Sequence, residues 1–223
     1  MRSLSLIIVF LLLLCSARSQ SKISFEQYSF MGAGQNSLLA PVAHYETRQK
    51  WYAEARYNYE DINTFSLYAG RTFSKENNFS WSFTPMIGGM AGKMNGGSVG
   101  LNTLCSFRKF SFYSESQYSV SAQTRFDNFF YNWSELYYQP LDWIYTGIAL
   151  QHTRLYATSS LMDPGILLGF SYNQWSFPLY SFNPLRGERY FVIGVNWEWM
   201  RPKDKRKRIE PPLLSDISEA SIP

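Results

Sequence analysis

The chain has 223 residues, of which 18% are aromatic and only 17% are charged, and its formal net charge is +4. An average globular protein carries about 25% charged residues. A disordered chain is excluded, because so many rings would collapse, and two cysteines are too few for a disulfide scaffold. A helical membrane bundle is also excluded, because the one long apolar run lies at the N-terminus.

Residues 1–19 have the three parts of a secretory signal peptide: basic Arg2, the apolar run 4–14, and the small-x-small sequence 17–19. We expect cleavage before Gln20. The alternatives are a retained anchor helix and lipidation of Cys15. The apolar run is shorter than the roughly 20 residues that a spanning helix needs, and leucines stand where a lipidation signal has a small residue.

The mature chain alternates apolar and polar residues with the period of a β-strand from end to end. In residues 51–60, for example, Trp51, Ala53 and Ala55 share one face, and Tyr52 and Glu54 share the other. Twelve such segments are predicted: 24–34, 39–48, 51–60, 64–74, 79–92, 97–108, 110–122, 128–139, 142–157, 165–174, 176–182 and 189–199.

The connections between these segments are alternately short and long. Short turns are predicted near residues 49–50, 75–78, 108–109, 140–142 and 173–174, and most of the intervening connections are longer. Up-and-down barrels of the outer membrane have this arrangement, with short periplasmic turns and longer outer loops. The sequence therefore predicts an all-β protein: a closed antiparallel up-and-down transmembrane β-barrel of about twelve strands, with ten as an alternative. A secreted β-sandwich is the non-membrane alternative.

In such a barrel the apolar face with its many rings meets lipid, and the polar face lines a lumen. Two places depart from the alternation: Arg71 falls on the apolar side, and residues 131–138 change phase, for which a bulge or a strand end is the expected cause. The lumen-lining candidates are His44, Glu46, Arg48, Glu54, Arg56, Asn58, Glu60, Glu115, Gln117, Gln151, Asn196 and Glu198.

The last segment carries Gly194, Trp197 and Trp199 in the order Gly-x-x-aromatic-x-aromatic. This resembles the terminal-strand assembly signal of Gram-negative outer-membrane β-barrels, although Val192 replaces a polar residue and further residues follow. The Gln after the cleavage site and the aromatic content resemble Bacteroidota barrels. Over residues 24–199 the resemblance is one of fold only. It implies outer-membrane localisation, contact with outer-membrane lipid and handling by the barrel-assembly machinery.

The domain organisation expected is a signal peptide at 1–19, a barrel at 20–200 and a disordered basic periplasmic tail at 201–223. Residues 201–208 hold six basic groups and one acid. This run is interpreted as a solvated end, with binding to a periplasmic partner or to anionic headgroups as the alternative. Nucleic acid is not an expected partner of an exported chain.

No motif for a metal or another cofactor is found in the sequence, so none is predicted. His44 and His152 are the only histidines, and neither has a serine two residues away. Ser159 or Ser160 remains the candidate nucleophile for His152. The sequence therefore leaves three hypotheses: a small pore or solute-selective channel, a non-conducting structural or partner-binding barrel, and a lipid-modifying enzyme.

Overall fold

The computed structural model of the chain describes residues 21–32, 38–155 and 160–199. Within this part the chain forms thirteen β-strands and one short 3-10 helix, Arg125–Asp127. The strands are β1 Lys22–Gly32, β2 Leu38–Glu46, β3 Trp51–Tyr57, β4 Thr64–Arg71, β5 Phe73–Lys75, β6 Phe79–Gly92, β7 Gly96–Phe107, β8 Phe110–Ser121, β9 Phe129–Leu141, β10 Ile144–Leu155, β11 Leu161–Tyr172, β12 Trp175–Phe182 and β13 Tyr190–Trp199. The expected signal peptide and tail lie outside the described residues.

The strands form one closed antiparallel sheet. Apart from β4 and β5, strands that follow one another in the chain pair with each other, and β1 pairs with β13 from Ile23↔Trp199 to Gly32↔Tyr190, which closes the barrel. β4 and β5 both pair with β6 and together make one barrel strand interrupted at Thr72. The structure is therefore a closed barrel of twelve strands, which confirms the predicted fold class.

One end of the barrel has tight turns, and we call it the short-turn end. Three of its turns contain a non-glycine residue with positive φ: Lys50 (68°), Arg108 (54°) and Asn173 (54°). The connections between β3 and β4, β8 and β9, and β12 and β13 lie at the other end and are longer; we call it the long-connection end. The predicted alternation of connection length is present at these positions, whereas the β6–β7 connection at the same end, residues 93–95, is as short as the β5–β6 turn, residues 76–78.

Side chains alternate between the outside and the inside of the barrel wall. In β6, Phe79, Phe83 and Ile87 are exposed outward, whereas Thr84 and Met86 are buried inside. Large apolar side chains are exposed on the outside of nearly every strand, as the surface of a barrel in lipid requires. Among the described residues, no helix is long and apolar enough to cross a membrane.

Two local expectations are corrected. β3 ends at Tyr57, so Asn58 and Glu60 belong to the β3–β4 connection and not to a strand. No bulge accompanies residues 131–138, because β9 pairs continuously with β8 from Phe129 to Tyr138. The register shift between β9 and β10 lies further on, between Ile144 and Thr146. Arg71 is exposed on the outside at the last position of β4, beside the rings of Trp51 and Phe73.

Candidate functional site: the barrel interior

A cluster of charges crosses the interior between β3 and β8; we call Glu54, Arg56, Glu60, Glu115 and Gln117 the charged cluster. The Arg56 guanidinium contacts Glu54 through Nε, lies 2.6 Å from Glu115 Oε1 through Nη2 and donates to Gln117 Oε1 at 2.8 Å. Its Nη1 lies 3.5 Å from Glu60 Oε1. Arg56 is 1% exposed, so these acids replace the water that the cation lost.

The β3–β4 connection completes this cluster from the long-connection end. Glu60 accepts hydrogen bonds from Ser66 and from Tyr68, the latter at 2.9 Å. The Tyr59 hydroxyl donates to Glu115 Oε2 at 3.1 Å, and its ring meets Tyr131 edge to face. Burial, and then the Glu115 carboxylate, raise the pKa of Tyr59 well above its ordinary value, so the phenol stays protonated and can donate.

His44 connects the charged cluster to the neighbouring wall. Its Nε2 lies 3.2 Å from Glu26 Oε1 and its Nδ1 lies 3.0 Å from Glu54 Oε2. The Nδ1 atom is also 2.6 Å from the Tyr52 hydroxyl, and Tyr52 donates to Glu54. β1, β2 and β3 therefore present one continuous polar chain to the interior.

The opposite side of the interior is filled by rings. Trp133 on β9 meets Tyr180 and Phe182 of β12 edge to face, with centroids 5.0 and 5.1 Å apart. Phe182 stacks on Tyr190, and Tyr28 of β1 reaches Trp133 across the barrel. Phe182 has no exposed surface. Together with the charged cluster, these rings occupy much of the interior at mid-height.

Toward the short-turn end, the interior contains a cavity of about 190 Å³. Carboxylates, amides and hydroxyls line it together with several tyrosines: Ser24, Glu26, Tyr28, His44, Glu46, Tyr52, Asn102, Tyr113, Glu135, Tyr145, Tyr180, Asn196 and Glu198 are among its residues. Glu46 accepts from Lys50 at 2.9 Å and from Thr72 at 2.7 Å, and Lys22 lies 3.3 Å from Glu198. The cavity has charged side chains in its wall and is large enough for a small solute.

The predicted lumen residues are thus placed in several groups. Glu54, Arg56, Glu60, Glu115 and Gln117 meet in the charged cluster, while His44, Glu46, Asn196 and Glu198 line the cavity. Gln151 faces inward near the long-connection end, where it accepts from Tyr190 at 3.2 Å.

Two of the candidates lie off the inner wall. Arg48 is exposed in the β2–β3 turn, since β2 ends at Glu46. Asn58 has φ 56° in the β3–β4 connection and donates to Leu39 O at 3.1 Å, so it stabilises that turn.

Sequence reasoning missed the inward residues of β9. Tyr131, Trp133, Glu135 and Tyr137 point inward, although the rule of apolar side chains facing lipid assigns the rings to the outside. The signal that could have found them is Glu135, a charge on the ring-bearing face of its strand.

The candidate nucleophile of the enzyme hypothesis lies outside the barrel. Ser160 Oγ is 2.6 Å from His152 Nε2 in an exposed position, while Ser159 is outside the described residues. Within the described chain, no carboxylate forms an ion pair or hydrogen bond with His152 Nδ1, so the third member of a triad is lacking there. The same residues contain no group of three or more metal-ligating side chains.

The residues of the expected assembly signal lie on β13 and split between the two faces. Gly194 is buried on the inner side, where Pro178 and Tyr28 approach it. Trp197 and Trp199 alternate with buried Asn196 and Glu198 and therefore point outward.

Solved structures similar to this chain include porins. A KdgM porin superposes with a TM-score of 0.59 and 14% identity, covering 78% of this chain and 98% of that one. A KdgM porin in complex with disordered oligogalacturonate gives 0.56 and 11%, with coverages of 79% and 98%. OccAB4 of Acinetobacter baumannii gives 0.46 and 12%, with coverages of 78% and 57%. No protein-family model and no curated protein sequence matches the chain.

The closed sheet, the apolar outer surface and the similarity to the KdgM porin structures define the class of fold: the chain is a β-barrel with the fold of an outer-membrane porin. At these identities the similarity shows the fold, and the solute of a neighbour is not carried over. None of the neighbours bears on the expected Bacteroidota origin.

Proposed function

We propose that the protein is an outer-membrane channel for small solutes, closed at mid-height in this conformation. The observation that carries the proposal is the cavity at the short-turn end, beyond which the interior narrows to a cavity of about 30 Å³ between the charged cluster and Trp133, the proposed barrier. A barrel of twelve strands lies between the eight-strand size that side chains just fill and the sixteen-strand size of open porins. This strand number is compatible with a path that side chains open and close, and equally with a filled interior.

The proposed barrier consists of side chains, so opening it does not require the wall to unfold. Arg56, Glu115 and Tyr131 extend from the strands, and Tyr59 enters from the β3–β4 connection. A ring of charged groups at the narrowest point selects solutes by charge. The charged cluster is thus the proposed selectivity filter, and displacement of Tyr59 is the proposed opening step.

A second candidate function is a non-conducting barrel that uses the cavity only to bind. It is favoured by the burial at mid-height, where Arg56 and Phe182 are as inaccessible as residues of a soluble core. Cross-barrel contacts such as Trp133 with Phe182 are typical of a filled interior.

Single-channel recording in planar bilayers separates the two candidates. We expect the purified, refolded protein to give small, intermittent current steps. A Tyr59→Ala/Tyr131→Ala variant removes two rings that meet in the barrier and should give several-fold larger steps. Leu136→Ala, which trims an outward side chain of the same strand, is the matched control and should behave like the parent.

Folding of each protein is checked by its heat-dependent mobility on gels. Absence of current from both the folded parent and the folded double variant would exclude the channel and support the binding barrel.

A further inference from the structure

Among the carboxylates that line the 190 Å³ cavity, Glu135 stands apart from the cations of the described chain. Other interior carboxylates form ion pairs. Glu26 contacts His44, Glu54 and Glu115 contact Arg56, Glu46 contacts Lys50, and Glu198 contacts Lys22. Within residues 21–32, 38–155 and 160–199, no cationic side chain forms an ion pair with Glu135.

The side chains around Glu135 orient its carboxylate as a hydrogen-bond acceptor. Trp133 Nε1 donates to Oε1 at 2.5 Å, and the Tyr180 hydroxyl donates to the same oxygen at 2.7 Å. An indole N–H can only donate, so the geometry holds Oε1 in place. In the described chain no hydrogen bond or ion pair reaches Oε2, and Glu135 lines the 190 Å³ cavity.

Two amides in the same cavity also lack donors. Asn196 is 5% exposed, and its Oδ1 has no hydrogen-bond partner among the described residues. Asn102 Oδ1 is in the same condition, and both residues line the cavity. A buried acceptor without a donor costs about 1–3 kcal/mol. A ligand with N–H groups in the cavity would donate hydrogen bonds to both amide oxygens.

The remaining lining suits an organic cation. Tyr28, Tyr113, Tyr145 and Tyr180 surround the cavity, and aromatic faces attract ammonium and guanidinium groups. The cavity is somewhat larger than the engineered cavity of about 150 Å³ that holds benzene. The six carboxylates that line the cavity and the barrier outnumber Lys22, Arg56 and His44, which disfavours an anion.

We propose that this cavity binds a small organic cation with N–H donors, a primary ammonium or guanidinium compound, with its charged nitrogen against Glu135 and its N–H groups directed at Asn196 and Asn102. This assignment rests on the proposed function, because it names the class of solute that the proposed channel takes. Its test measures binding alone, so the result does not depend on whether the barrel conducts.

The test is calorimetric titration of the full-length protein in detergent with three probes of similar shape. 2-Phenylethylammonium should bind. Its N-trimethyl derivative keeps the charge but has no N–H. Its affinity should be lower by roughly tenfold or more, because it cannot donate hydrogen bonds to the amide oxygens. 3-Phenylpropionate, an anion of the same size, should not bind.

Variants assign the binding to Glu135. Glu135→Gln should weaken binding of 2-phenylethylammonium roughly tenfold or more, whereas Glu188→Gln, the same change at an exposed residue of the β12–β13 connection, should leave it unchanged. Asn196→Asp keeps the side-chain size and should strengthen binding by adding a carboxylate.

Three results would overturn the proposal: no binding by the folded parent, equal affinity for the trimethyl derivative, or indifference to both Glu135→Gln and Asn196→Asp. Binding without current would refute the channel alone, and current without binding would refute this ammonium site alone.

Discussion

Arg56 shows at the scale of one residue how a charge is held inside the barrel. It lies over the rings of Tyr59 and Tyr68, with its guanidinium carbon 4.5 and 4.6 Å from their centroids, and contacts acids on three sides. Removing the cation leaves Glu54, Glu60 and Glu115 buried with like charges close together. The arginine is therefore required by the acids around it, and replacing it alone should be costly.

We expect Arg56→Met to lower the free energy of unfolding by about 3–5 kcal/mol, the usual cost of breaking a buried ion pair by removing one partner. Equilibrium unfolding by urea in lipid vesicles measures the change. Arg71→Met is the control, since Arg71 is exposed outside the barrel against Trp51 and Phe73, and it should cost about 1 kcal/mol or less. Equal losses from the two variants would mean that the charged cluster does not stabilise the barrel.

At the scale of the element, glycines on one strand make room for rings on the next. Gly169 of β11 pairs with Tyr145 of β10, and a Cβ at Gly169 would lie 1.8 Å from Cζ of that ring. Gly88 stands in the same relation to Tyr68, and Gly165 to Phe182. Rings lying flat over glycines are what allows so many large side chains inside a twelve-strand wall.

Gly169→Ala should therefore destabilise the barrel by about 1–3 kcal/mol, the range for overpacking a filled interior. Gly97→Ala should be neutral or slightly stabilising, because its nearest contact would be Gly88 O at 3.6 Å and the unfolded chain loses entropy. The midpoint of urea unfolding distinguishes the two changes. A Gly169→Ala midpoint equal to that of the parent would show that Tyr145 can move aside freely.

The strands also show what the sequence could predict and where it could not. Alternation in β3 predicted Glu54 and Arg56 on the inner face, because one face of that strand is polar and the other is apolar, and both side chains are buried in the structure. In β9 the inner face carries Trp133 and the outer face carries Asn132 and Ser134, which hydrogen-bond to each other. Polarity cannot orient such a strand.

The packing partners of the inner rings decide the orientation of β9 instead. Tyr28 and Tyr180, which contact Trp133, lie on strands far from β9 in the sequence. The candidate site was therefore predictable only on its charged side.

At the scale of the whole molecule, the tryptophans are concentrated at one end. The chain has seven tryptophans, of which Trp133 lies inside the barrel. The other six lie outside, at or next to the short-turn end. Trp51 and Trp175 begin strands, Trp81 is near the start of β6, Trp143 is in a turn, and Trp197 and Trp199 are at the end of β13. Amphipathic rings prefer the membrane–water interface. The short-turn end is thus expected to lie at the level of the headgroups.

In vesicles, lipids brominated near the headgroup should quench the tryptophan fluorescence more strongly than lipids brominated at the chain ends. The six outer indoles share one depth, and the interior Trp133 does not meet lipid. A Trp133→Phe variant should show the same depth profile with a smaller unquenched fraction. Stronger quenching from the chain ends would place these indoles in the middle of the bilayer.

The pairing of β1 with β13 sets the order of events during assembly. Every other pairing joins strands that follow one another in the chain, apart from β4 with β6, which only β5 separates. Hairpins can therefore form one after another as the chain emerges, since local contacts form early. One edge of β1 is then expected to stay unpaired until β13 pairs with it, and an unpaired edge is prone to pair with other strands. The Lys22–Glu198 ion pair, which joins these two strands, is accordingly among the last contacts to form.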